Sequence, residues 1–348
     1  MSPARAHRLV VDLASTSKNW SLPEWGQEKL LERSPEGWDV HMVRASTKSD
    51  GDGGGRASEE VLEAVRDAEV YFGFGVSESV FAAAPGLRWV HSAAAGVGSA
   101  LFPAMRQSNV LLTNSAGIMG DTIAEHVVGG VIYLLRSMDI AVAQQREARW
   151  DKSPFVEPDS TVREVSECTV LVVGTGGIGQ GVATRFTAMG ATCVGVRRRP
   201  GRGAPPGFAR VVGLDALDEE LPGADVIVLC APLTGETDGL LDARRLDCLH
   251  RGAIVVNVAR GALLDEHALA LRLQAGRIRG AVLDVFQHEP LDGASPLWAL
   301  SQVLLTPHVA AVSPRRFWER ALELFLDNWA RYRAGESLRN LVDKDAGY

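Results

Sequence analysis

The chain has 348 residues, of which 46% are hydrophobic and 23% are charged, and it carries a net charge of −7 at pH 7. This length suits two domains, and the composition supplies enough apolar side chains for a substantial core. The acidic balance argues against nucleic acid as a partner, because neutralising phosphates requires a basic face.

Membrane and metal binding are also disfavoured. No uninterrupted apolar run approaches the roughly 18 residues that a membrane span needs, and the N-terminal residues lack the apolar segment of a secretory signal. The four cysteines show no C-x-x-C spacing, so reduced thiols are expected and no metal site is predicted. We therefore expect a cytoplasmic protein.

The first third of the chain alternates short apolar runs with helical patterns. Val61, Leu62 and Val65 form an apolar stripe that predicts a helix over 59–67. The Gly-rich stretch Asp50–Arg56 predicts a flexible loop. The apolar runs predict strands at 8–13, 38–43, 69–74, 88–92 and 110–113.

A long apolar pattern from Thr122 to about Gln145 predicts one continuous helix. It opens with Gly-Asp-Thr, a plausible cap, and places Glu125 in the first turn. Such a helix suits a crossing between domains or a dimer contact. Residues 151–166 are polar and contain two prolines, which predicts a linker or surface loop.

A second set of alternating strands and helices follows. Apolar strands that alternate with helices predict a parallel, doubly wound sheet covered on both faces. The amphipathic tail at 314–334 is expected to return to the first domain, because the second sheet is complete by about residue 306. The predicted strands are 169–173, 191–196, 225–230, 253–257, 280–285 and 302–305, with a helix at 177–189.

The first strand of this set runs into a glycine turn. Gly174, Gly176 and Gly179 stand in G-x-G-x-x-G register between the predicted strand and helix, which is the fingerprint of a dinucleotide site. Free N–H groups of Gly176, Gly177, Ile178 and Gly179 would face the pyrophosphate at the helix N-terminus.

The residues after the next strand indicate which dinucleotide binds. An acidic residue expected there would accept hydrogen bonds from the ribose of NAD, but this chain carries Arg197 and Arg198. Guanidinium groups form charge-assisted bonds to a 2′-phosphate. We therefore predict that NADP(H) is preferred, with NAD(H) possible; a solvated basic loop is the alternative interpretation.

Three side chains with catalytic chemistry follow successive strand ends. Arg260 comes after strand 253–257, Glu289 comes after 280–285, and His308 comes after 302–305. Open α/β sheets bind ligands outside the carboxyl ends of their strands. Each residue alone has a structural explanation, but together they predict a guanidinium, a carboxylate and an imidazole beside the cofactor.

With these motifs, the chain resembles the D-isomer-specific 2-hydroxyacid dehydrogenases, in particular the glyoxylate/hydroxypyruvate reductase branch. The resemblance runs from about residue 90 to residue 310. It departs from the usual pattern at Gly98, where many relatives carry Asp, and at Arg197. The matching stretches are Ala95-Gly96-Val97, Ala124-Glu125-His126, the glycine turn, Ala231-Pro232-Leu233-Thr234, Asn257-Val-Ala-Arg-Gly261, Leu283-Asp-Val-Phe286 with Glu289-Pro290, and Thr306-Pro-His308.

The resemblance implies an α/β fold with two Rossmann-like domains and a cleft between them. A discontinuous substrate-binding domain would comprise 1–115 and 310–348, and the NAD(P)-binding domain would comprise 116–309. The resemblance further implies a homodimer joined through the cofactor domains and the long helix near 122–145.

The family reaction is reversible hydride transfer between a nicotinamide and a 2-oxo or D-2-hydroxy acid. By resemblance, Arg260 would hold the substrate carboxylate and polarise its keto oxygen, with backbone N–H groups of Ala95 and Gly96 as further donors. His308 would exchange the proton, oriented by Glu289. The implied cofactor contacts also include Cys230, Ala231, Pro232, Thr237, Val258, Ala259, Asp284 and Thr122.

Two other functions fit the same fold. A dinucleotide-sensing corepressor shares the catalytic residues, although the acidic charge favours a metabolic enzyme. A phosphoglycerate dehydrogenase is also possible, but the loop at 94–99 offers no basic partner for a substrate phosphate, and no appended regulatory domain is evident. An apolar substrate pocket drawing on 71–74, 93–95 and Met119 is expected.

Overall fold

A computed structural model describes residues 7–46, 57–313 and 316–347 of the chain. The loop predicted at Asp50–Arg56 and the first two residues of the predicted tail helix lie outside these ranges. The strands are β1 His7–Asp12, β2 Trp38–Met42, β3 Val70–Gly73, β4 Trp89–Ser92, β5 Leu111–Asn114, β6 Thr169–Val173, β7 Thr192–Val196, β8 Arg210–Val212, β9 Val226–Leu229, β10 Ile254–Asn257, β11 Gly280–Leu283 and β12 Val303–Leu305.

The helices occupy most of the intervals between strands. They are α1 Glu24–Glu32, α2 Glu59–Ala64, α3 Glu78–Ala83, α4 Pro103–Gln107, α5 Gly120–Leu135, α6 Met138–Arg146, α7 Ser153–Val156, α8 Gly177–Ala188, α9 Leu217–Glu220, α10 Ala243–Asp247, α11 Glu266–Gln274 and α12 Phe317–Ala334.

The chain divides into two compact units. Unit 1 comprises Met1–Ile118 and Ser313–Tyr348, and unit 2 comprises Met119–Val312. Each division falls three residues beyond the sequence-predicted boundary (115 to 118 and 309 to 312). The C-terminal helix α12 belongs to unit 1.

In its described residues, unit 1 holds a five-stranded parallel sheet in the order β2-β1-β3-β4-β5. Its core is unusually aromatic where α12 packs on the sheet. Phe325 of α12 stacks on Phe72 of β3, with ring centroids 4.1 Å apart, and on Trp89 of β4 at 5.4 Å. Aromatic stacking adds to the free energy that burial supplies.

The described part of unit 2 holds a seven-stranded parallel sheet in the order β12-β11-β10-β9-β6-β7-β8. Its central strands are aliphatic and buried throughout, as expected for a sheet covered on both faces. The parallel α/β architecture predicted for both halves is thus confirmed. Strand β8 was not predicted, because its three residues, Arg210–Val212, are too few for a recognisable apolar alternation.

The chain leaves β6 in one direction to form β7 and returns on the other side as β9. This reversal makes the adjoining carboxyl ends of β6 and β9 the topological switch point of the sheet, where open α/β folds form their ligand crevice. The glycine turn follows β6 directly. The fold thus places the dinucleotide fingerprint where the topology leaves space for a ligand.

The prediction of one continuous helix from Thr122 to about Gln145 was wrong. Helix α5 ends at Leu135, and α6 begins at Met138 with its axis turned by 70°. Ser137 between them adopts a left-handed backbone conformation, with φ 51°, which an α-helix cannot continue through. Helix α5 also starts earlier than predicted, at Gly120, without a side-chain cap at Met119.

A buried ion pair holds this bend. Arg279 donates from Nη2 to Asp139 Oδ1 at 2.7 Å and to the Leu134 carbonyl oxygen at 2.8 Å. Both charged side chains are less than one-tenth exposed. Since Arg279 directly precedes β11, the pair ties the end of α5 and the start of α6 to the sheet.

Within the described residues, no single helix has both the length and the hydropathy of a membrane span. Helices α5 and α6 pass that test only when they are taken together across their bend.

Helix α5 packs against α8 and the sheet through glycines. A Cβ at Gly130 would lie 2.7 Å from a methyl carbon of Val282, and a Cβ at Gly120 would lie 2.9 Å from the Gly177 carbonyl oxygen. Real Cβ atoms do not approach so closely. These glycines therefore let α5 lie directly against β11 and the glycine turn.

Candidate active site

The glycine turn is built by close backbone approach. Gly174 has φ 106°, a conformation that favours glycine, and a Cβ there would lie 2.8 Å from the backbone of Cys230 and Ala231. A Cβ at Gly179 would overlap the carbonyl oxygen of Gly174. The first and third glycines thus serve the turn and the helix packing, as the fingerprint predicts.

The second glycine leaves room for a ligand. A Cβ at Gly176 would meet no atom within 4 Å, so the space beside this residue is open. Gly176 precedes the first turn of α8, whose leading N–H groups have no partner within the helix. Open space next to such donors fits a pyrophosphate, and the residues present therefore suit a dinucleotide.

The loop after β7 carries two arginines that differ in their exposure to solvent. Arg197 is half-buried and donates from Nη2 to the carbonyl oxygens of Pro200, at 3.1 Å, and Gly203, at 2.6 Å. Its Nε is buried and has no hydrogen-bond partner among the described residues. Arg198 is exposed. Arg197 therefore shapes the loop from which Arg198 extends.

The segment from Cys230 to Thr237 forms a loop after β9 that is held by hydrogen bonds among its own residues. Thr237 Oγ1 donates to the Pro232 carbonyl oxygen at 2.7 Å and accepts the Thr234 N–H at 2.8 Å. Cys230 donates from Sγ to the Gly174 carbonyl oxygen at 3.2 Å. Burial raises the pKa of the Cys230 thiol to about 12, so this cysteine is a packing residue rather than a nucleophile.

Arg260 lies in a tight turn after β10. Asn257, the last residue of β10, donates from Nδ2 to the Arg260 carbonyl oxygen at 3.0 Å and accepts the Ala259 N–H at 3.1 Å. Val258 and Ala259 are each 7% exposed. A Cβ at Gly261 would overlap the backbone of Phe286 and Gln287, so this glycine brings the Arg260 turn against the loop that leads to Glu289.

Glu289 and His308 are brought together by the structure. The His308 Nδ1 atom lies 2.8 Å from Glu289 Oε2, while Glu289 Oε1 accepts the Phe286 N–H at 3.0 Å. The two side chains are 46% and 37% exposed, respectively. The carboxylate is thus fixed by the backbone on one side and orients the imidazole on the other, which is the arrangement of an acid–base pair.

A second glutamate supports the same loop from α11. Glu266 Oε1 accepts the N–H of Gln287 at 2.5 Å. Burial raises the pKa of Glu266 above its usual value. Because Glu266 accepts this backbone N–H two residues before Glu289, it helps to hold the loop that carries Glu289.

The predicted carboxylate-binding loop of unit 1 follows β4. Asn114 donates from Nδ2 to the Ala95 carbonyl oxygen at 2.7 Å, and the Ser115 N–H donates to the Ala94 carbonyl oxygen at 3.1 Å. These bonds fix the loop with Ala95 exposed and Gly96 half-buried.

Thr122, a further predicted cofactor contact, is half-buried in the first turn of α5.

Part of the expected apolar substrate pocket was wrong. Tyr71 and Phe72 are 3% and 0% exposed, respectively, and belong to the core. Tyr71 donates its hydroxyl to Asp12 at 2.6 Å, and burial raises the pKa of Asp12. Apolar residues near a strand end fit core-facing positions as well as pocket lining, so the sequence pattern does not distinguish the two.

Two polar residues near His308 received no role in the sequence analysis. Thr306 Oγ1 lies 2.5 Å from Asp284 Oδ1 and 3.2 Å from His126 Nε2. Both Thr306 and His126 lie in the matching stretches that carry the family resemblance, which is the signal that pointed to them. Their partners are distant in sequence, so no local pattern indicates the contact.

A doubly wound parallel sheet, a glycine turn at its switch point and a histidine–glutamate pair at a neighbouring strand end define an α/β dinucleotide-binding protein. The comparisons with known proteins agree. The profile described as D-isomer specific 2-hydroxyacid dehydrogenase, NAD binding domain, matches residues 128–310.

Individual relatives support the same conclusion. The chain is 38% identical over 258 residues to D-3-phosphoglycerate dehydrogenase of Mycobacterium tuberculosis, which covers 73% of this chain and 47% of that protein. It thus spans about half the length of that relative. It is 34% identical over 232 residues to glyoxylate/hydroxypyruvate reductase A of Salmonella paratyphi B, which covers 66% of this chain and 70% of that protein.

Among solved structures, a D-isomer specific 2-hydroxyacid dehydrogenase from Xanthobacter autotrophicus Py2, crystallised with NADPH and MES, superposes with a TM-score of 0.79. It is 31% identical, and the match covers 99% of this chain and 100% of that chain. The chain belongs to the D-isomer-specific 2-hydroxyacid dehydrogenase family and is an NAD(P)-dependent oxidoreductase.

Proposed function

We propose that this protein catalyses reversible reduction of a small 2-oxo acid to a D-2-hydroxy acid with NADPH. The observation that carries the proposal is the His308–Glu289 pair, with 2.8 Å between Nδ1 and Oε2, in the same unit as an open glycine turn. When bound, the nicotinamide supplies or accepts the hydride.

The chain's own part is proton transfer and orientation. Since Glu289 engages His308 Nδ1, Nε2 is the nitrogen that donates a proton to the keto oxygen and takes it back in the reverse direction. The Glu289 carboxylate stabilises the imidazolium and holds the ring in one orientation.

Arg260 is the proposed partner of the substrate carboxylate and keto oxygen. Its planar guanidinium offers a donor fork that matches a carboxylate, which a lysine does not. The Asn257 bonds to the Arg260 turn hold its backbone. The backbone N–H groups of Ala95 and Gly96 in unit 1 remain the proposed further donors to the carboxylate.

The coenzyme preference rests on the loop after β7. Arg198 is exposed there and Arg197 shapes the loop, whereas an NAD-selective site carries an acid that repels a 2′-phosphate. The relative from Xanthobacter autotrophicus Py2 was crystallised with NADPH, which supports the same assignment for this chain.

Glyoxylate or hydroxypyruvate is the proposed substrate type, and an apolar 2-oxo acid is the second. The match to a glyoxylate/hydroxypyruvate reductase supports the first. The match to phosphoglycerate dehydrogenases favours a phosphorylated substrate, but residues 94–99 read Ala-Ala-Gly-Val-Gly-Ser and contain no cation for a phosphate.

We also propose a cytoplasmic homodimer. Trp150 and Val156, which follow α6, are 89% and 70% exposed, and a partner subunit that covered them would remove this apolar surface from water. Light scattering coupled to size-exclusion chromatography measures the mass in solution. A monomer at micromolar concentration would contradict the dimer.

The function is tested by measuring NADPH oxidation with glyoxylate, hydroxypyruvate, pyruvate, longer apolar 2-oxo acids and 3-phosphohydroxypyruvate. Turnover with the small acids supports the proposal, and a preference for the phosphorylated acid would replace it with phosphoglycerate chemistry. NADPH binding without turnover on any acid would instead support a dinucleotide-sensing protein.

A further inference from the structure

One buried residue accepts several hydrogen bonds from the loop that carries His308. Asp284 is 2% exposed and directly follows β11. Its main-chain oxygen accepts the N–H of His308 at 2.8 Å, and its carboxylate accepts the N–H groups of Val309 and Ala310, both at 2.9 Å. Three successive N–H groups of the loop therefore bind Asp284.

A hydroxyl and an imidazole connect this arrangement to helix α5. Thr306 Oγ1 lies 2.5 Å from Asp284 Oδ1 and 3.2 Å from His126 Nε2. A hydroxyl has one proton, and an ionised carboxylate only accepts. With the Asp284 carboxylate as acceptor, Thr306 donates to it, and the Thr306 oxygen is left to accept a hydrogen bond from an N–H at His126 Nε2.

The loop needs this support because its backbone is strained. His308 has φ 54°, in the left-handed region, which is unfavourable for a residue other than glycine. The surrounding hydrogen bonds offset that cost. Without them, the backbone at 308 would relax and move the imidazole away from Glu289.

We propose that His126 is a positioning residue for His308, acting through Thr306 and Asp284 to hold the strained backbone from which the catalytic imidazole meets Glu289. The four residues come from α5, the end of β11 and the loop after β12, all in unit 2. This inference rests on the proposed proton-transfer role of His308.

The arrangement also changes the interpretation of Asp284. The family resemblance implies that Asp284 contacts the cofactor, and that contact remains a prediction. In the structure, each of its carboxylate oxygens already accepts a hydrogen bond from the 306–310 loop. We therefore assign the Asp284 carboxylate a structural role in holding the 306–310 loop.

The test compares Thr306→Val with Thr306→Ser. Valine keeps the shape but removes both hydrogen bonds, so we expect kcat to fall about 10- to 100-fold while the Kd for NADPH changes less than about threefold. Serine keeps the hydroxyl and should restore kcat to within about threefold of the original. The solvent deuterium isotope effect on kcat should rise in the valine variant, because proton transfer becomes slower.

His126 supplies an independent pair of variants in case Thr306→Val does not fold. His126→Leu removes the donor, whereas His126→Gln keeps an N–H donor at similar reach. We expect the leucine variant to lose about 3- to 10-fold in kcat and the glutamine variant to lose less. Thr187→Val is the matched control, because Thr187 lies on α8 and its hydroxyl donates to the carbonyl oxygen of Gly207 rather than to this loop.

Two outcomes would overturn the inference. One is a folded Thr306→Val protein with unchanged kcat, and the other is equal loss in the valine and serine variants. A change confined to the thermal midpoint, with kcat unchanged, is a case of the first outcome. If His308→Gln retains normal turnover, it is the proposed role of His308 that fails, which separates the two hypotheses.

Discussion

The two sheets place their buried polar side chains differently. In unit 1, some of these groups lie inside the strands and bond one another, and others, such as Asn114, lie at the end of β5 and hold the loop after β4. Thr113 of β5 accepts a hydrogen bond from Trp89 Nε1 at 2.8 Å and lies 2.7 Å from His91 Nδ1, and all three residues are fully buried. Their partners are other core residues, so they specify packing.

In unit 2, the central strands are aliphatic, and two of the buried polar residues stand where strands end. Asn257 closes β10 and holds the Arg260 turn, while Asp284 follows β11 and holds the His308 loop. A buried polar group inside a sheet is satisfied by its neighbours, whereas one at a carboxyl end can fix a loop. The location of such a group therefore distinguishes a packing role from a role in organising a site.

The strongest test of this distinction is His308→Gln. We expect kcat to fall about 100- to 10,000-fold, the usual contribution of acid–base catalysis, with little change in the Kd for NADPH. Steady-state kinetics and fluorescence titration measure the two quantities. His267→Gln on α11 is the control, since that histidine is exposed, and its kinetics should match the original protein. Normal turnover in the His308 variant would remove the residue from proton transfer.

Asp139→Ala tests a buried polar group of unit 2 that lies far from the strand carboxyl ends. Its partner Arg279 precedes β11 and would keep an uncompensated charge less than one-tenth exposed. The free energy of unfolding should fall by about 3–5 kcal/mol, measured by urea denaturation. The more exposed contacts of Asp327 with Arg331 and Arg339 provide the control, and Asp327→Ala should cost no more than about 1 kcal/mol. Equal effects would mean that burial does not determine the role of the pair.

Replacing Arg197 and Arg198 with alanine tests the carboxyl end of β7. The ratio of kcat/KM for NADPH to that for NADH should fall about tenfold to hundredfold, because a charge-assisted bond to phosphate contributes about 1.5–3 kcal/mol. Arg277→Ala removes an exposed guanidinium elsewhere on unit 2 and should leave the ratio unchanged. An unaltered ratio in the double variant would contradict the NADP assignment.

The pH dependence of stability tests the interior polar groups of unit 1. Burial lowers the pKa of His91 from 6.5 to about 3. Between these values the unfolded chain binds a proton that the folded chain excludes, so the free energy of unfolding falls as pH decreases. The expected loss from this residue is on the order of 2 kcal/mol between about pH 7 and about pH 5.

His91→Gln should flatten that dependence, which urea denaturation at several pH values measures. The exposed His267→Gln should leave the slope as it is. If the His91 variant keeps the full slope, other groups govern the acid sensitivity.

Much of the fold could be predicted from the sequence. Aliphatic runs such as Val170–Val173 and Ile254–Val256 are recognisable as buried parallel strands because every residue in them is apolar. The bend at Ser137 could not be predicted, because the apolar pattern continues across it. The conformation there depends on Arg279, which lies 140 residues away from its partner Asp139.

The site shows the same division. The types and order of Gly174, Arg260, Glu289 and His308 along the chain already indicated dinucleotide-dependent acid–base chemistry. The pairing of Glu289 with His308, and the support of the His308 loop by Asp284, Thr306 and His126, appeared only in three dimensions.

The sequence by itself determined the parallel architecture, the dinucleotide turn and the chemical groups available, because those depend on local periodicity and residue type. Only the tertiary structure decided that Arg197 bonds its own loop, that α5 and α6 are separate helices, and that Asp284 holds the strained backbone at His308. The physical reason is that these features are hydrogen bonds and contacts between atoms that the folded chain brings together. For the contacts with the largest sequence separation, no single segment of the chain contains both partners.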